Sequence, residues 1–357
     1  MKTPNKTWGI MVLATLFLLL VGLGGLTVAV DPYFHYHKPL DTLQYRLYDE
    51  RYINDGILKH FDYDAIITGT SMTENFKASE FGKLFNVQPV KVPFSGAGYK
   101  EINENLERAL AKNPDLKTIV RGLDYNRLCS SADWARYSAD LYPDYLYDNK
   151  LHNDVKYIFN KSILFDKTIF TLSYTKNGNK TTTFDAYSNW MEGKTFGKEA
   201  VLATYNWADE IAENTAPFTE EDRQVVFENI TQNVTALVEQ HPEVDFYFFF
   251  TPYSICYFHQ LYQGGTLERQ LEIEKYAIEL MLQHDNIHLF SFFTEFDMIT
   301  DLDNYKDVQH YGEDVNSQML LWMREGYGEL TSENYEEYCK QVRDFYTNYD
   351  YSTLSVS

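Results

Sequence analysis

Cysteine is scarce in this 357-residue chain: Cys129, Cys256 and Cys339 are widely separated, odd in number and never in a CxxC spacing. They build neither a disulfide framework nor a zinc site, and read as small buried apolar residues. Basic charge is also short. Lys and Arg number 31 against 52 Asp and Glu, a formal charge of -21, and no Lys/Arg-rich run supplies the basic face that phosphate neutralisation needs. Nucleic acid is thereby excluded as a partner. HExxH, a P-loop and a GxGxxG after a strand are all missing, which leaves a zinc protease, an NTPase and a dinucleotide enzyme without support. Repeats, low-complexity tracts and Pro/Gly/Ser-rich linkers are missing too, so one large domain is expected. Apolar and aromatic residues, by contrast, make up 44% and 16% of the chain, enough for a sizeable core and against disorder.

The N-terminal stretch 7–30 carries no charge. At 1.5 Å per residue a helix of that length reaches about 36 Å, more than the roughly 30 Å hydrocarbon core of a bilayer, so it crosses with some tilt. Lys2 and Lys6 precede it and Asp31 follows. The positive-inside rule then leaves residues 1–6 cytoplasmic and 31–357 outside the cell membrane. Trp8 and Tyr33 stand where interfacial anchors would, and His35 and His37 read as interfacial. A cleaved signal peptide is the competing reading. Thr27 and Ala29 before Val30 make a poor cleavage site, and the apolar stretch is longer than a usual signal core, so an uncleaved anchor is favoured.

Beyond the anchor, short apolar runs at 64–68, 89–93, 117–123, 244–251 and 287–292 alternate with helical patterns at 77–85, 99–112 and 218–241. Continuous apolar runs of this kind are strands buried on both faces, and their alternation with helices predicts an α/β fold with a central parallel sheet. The helix at 218–241 opens on a Thr219 to Asp222 capping pattern and carries Val225, Val226, Ile230, Val234, Leu237 and Val238 on one stripe. Residues 128–216 are rich in Tyr, Asn, Asp and Lys with weak periodicity. They are expected as an insertion between the third and fourth strands that covers or lines a site. The acidic tail 328–357 is expected to be peripheral.

Ligands of an open α/β sheet bind beyond the carboxyl ends of the strands. After the first run comes Gly69-Thr70-Ser71-Met72-Thr73-Glu74-Asn75, where Gly69 permits a tight turn and Ser71 stands at the entry to a short helix. Ser95-Gly96-Ala97-Gly98 follows the second run, Gly122-Leu123-Asp124-Tyr125-Asn126 the third. Near the end, Asp307-Val-Gln-His310 precedes a helix from about Glu313. A serine hydroxyl becomes a nucleophile when an imidazole takes its proton and a carboxylate orients that imidazole. A second DxxH, Asp285 to His288, runs into LFSFF and reads as a core strand, whereas His310 lies in a polar loop. His259 reads as structural. Asp307 and His310 alone do not complete a metal site, so no metal is expected.

These four blocks, in this order over residues 60–326, resemble the SGNH (GDSL-like) hydrolase superfamily, with its GDS nucleophile turn, Gly, GxND and C-terminal DxxH. GTS in place of GDS is a common relaxation in membrane-anchored members. The stretch is similar to Gram-positive cell-surface SGNH proteins, including the D-alanine transfer proteins of teichoic acid modification. The resemblance implies a flavodoxin-like three-layer fold, with Ser71 as nucleophile, His310 as general base and Asp307 as its orienting carboxylate. It places Gly96, Gly98, Asn126, Asp124 and Asn75 at the oxyanion or substrate. Asp124 departs from the pattern, because an ionised carboxylate where the superfamily has an Asn amide would repel the developing charge. Either Asn126 or the backbone N–H groups of Ser71 and Gly96 or Gly98 then donate, and Asp124 caps or pairs with Arg121 or Arg127. The implied function is serine ester hydrolysis or O-acyl transfer on a cell-envelope glycan or teichoic acid, without a cofactor and with a membrane-bound O-acyltransferase as candidate partner. A non-catalytic anchored adaptor or glycan-binding protein on the same fold is the alternative, favoured by Asp124.

Overall fold

The computed structural model describes residues 6–138, 141–148, 150–206, 212 and 215–354, so Lys2 and the extreme C-terminus lie outside the described residues. The chain forms two compact units, Met1–Phe61 with Tyr137–Thr183, and Asp62–Arg136 with Phe184–Ser357. The stretch 128–216 is thus divided between them.

The second unit is mixed α/β around a six-stranded, mostly parallel sheet. Strands β1 (Ala65–Thr68), β2 (Pro89–Lys91), β3 (Thr118–Leu123), β4 (Asp245–Phe250) and β5 (Ile287–Phe290) each fall within an expected apolar run. They pair in parallel in the order β2-β1-β3-β4-β5. Every residue of β1 and β3 is buried, so helices and loops cover the sheet on both faces. In register across the centre lie Ile66, Ile119, Phe246 and Ile287, the middle of the core.

Two features differ from the expectation. A short β6 (Glu329–Leu330) joins β5 antiparallel, and the helix Tyr335–Asn348 buries Tyr338, Val342 and Tyr346. Those three recur at i, i+4 and i+8, an inward stripe hidden in an acidic composition. The tail through Leu354 is therefore not wholly peripheral: it adds a strand to the sheet and one buried helix face to the core. The long helix is present with its capping box at Thr219 and Asp222. Its interior widens into a π-helical turn at Thr231–Thr235 before resuming at Ala236–Gln240. Widening frees a carbonyl from the helix ladder, and the fully buried Arg121 of β3 donates to Asn233 O at 2.8 Å.

The first unit holds the apolar helix Lys6–Val30, which is long and apolar enough to cross a membrane. Tyr33 does not act as an interfacial anchor. Its side chain is buried, its hydroxyl donates to Asp49 at 2.6 Å, and its ring packs on Tyr52 and Tyr157. Asp31 is the cause, because it turns the chain in a left-handed conformation and accepts the backbone N–H groups of His35, Tyr36 and His37. Residues 35–37 fold back on the helix end, with His37 Nε2 3.0 Å from Val28 O.

A buried acid secures the segment after β3. Glu274 accepts hydrogen bonds from Tyr125 at 2.8 Å and Tyr338 at 2.5 Å, and burial pushes its carboxyl up to about 7 despite those two donors. A folded-state value above the unfolded one gives stability that is full below about pH 4.5 and is lost as pH rises through 7, on the order of 3 kcal/mol. Glu274→Gln is expected to flatten that decline in the unfolding midpoint between pH 5 and 8. A variant whose midpoint falls with pH as steeply as the parent's would show that Glu274 is not its source.

Candidate active site

Gly69 ends β1 at a φ of 149°, a conformation that disfavours a side chain, and a Cβ there would stand 2.5 Å from Thr73. The chain then runs through successive turns at 71–75, not the short helix expected, with Thr73 N–H bonded to Thr70 O at 2.9 Å. Ser71 is half-exposed on these turns at the carboxyl end of the sheet's β1. Phe94 N–H donates to Gly69 O at 2.8 Å, which sets the loop after β2 beside the serine turn.

His310 arrives on a clipped loop. A bridge between Tyr305 and Tyr311, the Lys306 N–H to His310 O bond and the Gly312 N–H to Asn304 O bond close residues 304–312 into a hairpin. Its tip is held by Ser254, which donates through both N–H and Oγ to Val308 O. Tyr311 Oη and Asn316 Nδ2 each donate to Met72 O at 3.2 Å, docking the hairpin on the serine turn.

Within that frame Ser71 Oγ lies 2.9 Å from His310 Nε2, and His310 Nδ1 lies 2.9 Å from both oxygens of Asp307. The carboxylate on Nδ1 keeps the ring proton there, leaving Nε2 to accept from the serine. Asp307 Oδ1 also takes the N–H of Gln309 and of His310. Burial opposes its charge, but the hydrogen bonds from the His310 ring and from these two N–H groups outweigh it and hold the carboxyl well below the usual carboxylate range. Asp307 is therefore ionised at neutral pH. The other DxxH histidine, His288, lies on β5 against Glu329 at 2.9 Å. His259 is buried against Tyr205 and Tyr351, where burial pushes its ring down to about 4.

Asp124 pairs with neither arginine. Arg121 donates to the carbonyls of Asn233 and Tyr99, and Arg127 lies over the Trp134 ring. Asp124 instead accepts from Thr70 Oγ1 at 2.7 Å, while its carbonyl takes the Tyr99 hydroxyl at 2.9 Å. Burial pushes its carboxyl up to about 6, against the opposing pull of the Thr70 hydroxyl, His310 and Arg127. It ties the end of β3 to the residue before the serine.

The remaining expected residues divide. Asn126 is exposed and accepts from Tyr253 Oη at 3.3 Å. Gly98 is buried under Trp134, and a Cβ on Gly96 would meet the Arg136 guanidinium, which donates to Ser95 O. These glycines admit Trp134 and Arg136 at close range, so Gly98 does not present open backbone to a ligand. The N–H groups of Ser71 and Gly96 have no acceptor among the described residues. Asn75 is buried and accepts the Trp190 N–H at 3.1 Å.

Trp190 was not among the expected site residues. Its Nε1 donates to Ser71 O at 3.1 Å, its ring meets His310 edge-on at 5.6 Å and stacks with Phe196, and Lys306 Nζ lies 4.5 Å from its centroid. One of three Trp residues in a polar, weakly periodic stretch is the only signal the sequence carries for it. Lys306 also lies 3.2 Å from Asp307 Oδ2.

The tether makes a distinction between shape and charge. Asp124→Asn keeps an oxygen for Thr70 and removes the negative charge, so Ser71 is expected to react with a fluorophosphonate at least as fast as in the parent. Asp124→Ala is expected to slow it about tenfold by leaving the buried Thr70 hydroxyl unpaired. Equal loss in both variants, read by intact-mass kinetics, would show that the carboxylate charge itself is needed. No family model, no curated protein and no solved structure matches this chain.

Proposed function

We propose that this protein is an SGNH-type serine esterase or O-acyltransferase, anchored in the cell membrane by the helix Lys6–Val30 with residues 31–357 outside, acting on acyl esters of a cell-envelope polysaccharide or teichoic acid. The observation that carries this reading is the unbroken Ser71, His310 and Asp307 hydrogen-bond chain at the carboxyl end of a parallel sheet. The order of the four sequence blocks and the strand order support the fold assignment.

In this reading Ser71 Oγ attacks the ester carbonyl carbon and its proton passes to His310 Nε2. The Asp307 carboxylate, bonded to Nδ1, stabilises the imidazolium that forms. The carbonyl oxygen becomes an oxyanion, for which the N–H groups of Ser71 and Gly96 are available donors. Collapse breaks the bond to the alcohol, which leaves with the proton from His310, and acyl-Ser71 remains. Water or a second hydroxyl then gives its proton to His310 and attacks the acyl carbon, releasing the free acid or a new ester and restoring Ser71. Hydrolysis and transfer differ only in that last acceptor. The Trp190 and Phe196 rings beside His310 suit the apolar face of a sugar. A membrane-bound O-acyltransferase that loads or receives the acyl group fits an enzyme held at the same membrane. Asp124 is the observation favouring the other reading, a non-catalytic adaptor, since a carboxylate replaces an oxyanion-directed amide.

The test is intact mass of the full-length protein after exposure to a fluorophosphonate. One adduct is expected on the parent, none on Ser71→Ala, and a slowing of at least 10³-fold in His310→Ala. A folded parent that takes no adduct would contradict the enzyme reading and favour the adaptor.

A further inference from the structure

We infer that the first unit carries, besides its spanning helix, a second membrane-binding surface: the segment 150–180 lies in the outer leaflet of an anionic bilayer. This inference rests on the reading of Lys6–Val30 as a membrane anchor.

Three independent observations point there. The first is an apolar face with no protein over it. Phe165, Ile169 and Leu172 recur at i, i+4 and i+7 along the helical stretch formed by Ile163–Ile169 and Phe170–Lys176, while Ile163, Leu164, Thr168 and Thr171 point inward. Leu151, Val155 and Phe159, in and around the short helix Val155–Ile158, are exposed as well. All six side chains are between 36% and 80% exposed. Aliphatic and aromatic residues exposed at helical spacing normally turn inward.

Depth is the second. Ile158 and Phe159 press on the spanning helix at Gly24, where an added Cβ would lie 2.9 Å and 3.2 Å from their side chains. Gly24 is six residues before the end of the helix, about 9 Å along its axis. The 25-residue helix reaches about 37 Å against the roughly 30 Å hydrocarbon core, so a centred helix puts Gly24 about 5 Å inside the hydrocarbon edge. The side chains that touch it share that depth. The junction is also fixed: Thr27, Val30 and Asp31 are buried, Tyr45 Oη donates to Val30 O at 2.9 Å and Tyr157 Oη to Asp31 at 2.7 Å. The segment cannot drift away from the helix end without breaking these bonds.

Charge is the third. In a chain of formal charge -21, residues 150–180 hold six lysines, at 150, 156, 161, 167, 176 and 180, against two aspartates, at 154 and 166; Lys167 is paired with Asp49, and the other five lysines are exposed. A basic rim around an exposed apolar face is the pattern of a helix lying in the headgroup layer of an anionic membrane, with its apolar side buried about 5–10 Å deep. Lysines keep their charge in the headgroups while their stems cover apolar surface. An occupant made of protein would leave the depth relation to Gly24 without a reason.

Full-length protein in phosphatidylglycerol nanodiscs, photolabelled with a diazirine reagent confined to the acyl-chain region and mapped by peptide mass, tests this. Labels are expected in 6–30 and also in 151–172. In the double variant Phe165→Asp with Ile169→Asp, labelling of 151–172 is expected to fall about fivefold while 6–30 is unchanged, and in neutral phosphatidylcholine discs it is expected to fall about threefold. Labels confined to 6–30 would overturn the second surface and leave the anchor standing. Absence of label from both would overturn the anchor and the surface together. Labelling of 151–172 that ignores both the double variant and lipid charge would also overturn the inference.

Discussion

The Asp307 carboxylate is the point on which the candidate site depends. It is fixed by the N–H groups of Gln309 and His310 before it does anything for the imidazole, so the loop's own backbone determines where His310 points. Those same bonds, with the His310 ring, keep it ionised in a half-buried place where desolvation works against its charge. An ionised partner on Nδ1 leaves Nε2 free to accept, and the Ser71 hydroxyl stands at that nitrogen. If Asp307 were free to rotate, neither the tautomer nor the 2.9 Å contact with Ser71 would be set.

The rest of the unit holds two distant pieces of chain in that relation. Ser71 and His310 are 239 residues apart, and a parallel sheet with consecutive crossovers puts both beyond the same strand ends. Met72 O is then the local meeting point, because Tyr311 and Asn316 from the histidine side both donate to it. Asp124 supplies the third tie, from β3 to Thr70. Trp190 supplies a fourth, bonded both to Asn75 and to Ser71 O. The serine turn lacks regular helical bonding, and these side-chain ties take its place.

Much of this was legible in the sequence, for definite physical reasons. Strands buried on both faces appear as uninterrupted apolar runs, so all five parallel strands and the capped helix at Thr219 could be read directly. The Ser71 and DxxH blocks were legible because each must follow a strand end, and a polar loop distinguishes His310 from His288. Other features left weaker traces. β6 is two residues long, and the stripe of Tyr338, Val342 and Tyr346 is masked by the acids between them. The contacts of Gly96 and Gly98 with Arg136 and Trp134 join residues about 40 apart without any periodic signal. The same holds for Trp190, whose two hydrogen bonds reach back more than 100 residues. Tyr33 beside an apolar span looks like an interfacial residue until Asp31 is seen to gather three N–H groups and turn the chain.

The most direct measurement of the central claim is the tautomer of His310, read from side-chain ¹⁵N resonances of histidine-labelled full-length protein, with assignment by His310→Gln. A neutral ring protonated on Nδ1 and bare on Nε2 is the result expected here, shifting toward a mixture in Asp307→Asn. A neutral ring protonated on Nε2 would contradict it, because that nitrogen could not then accept the Ser71 proton.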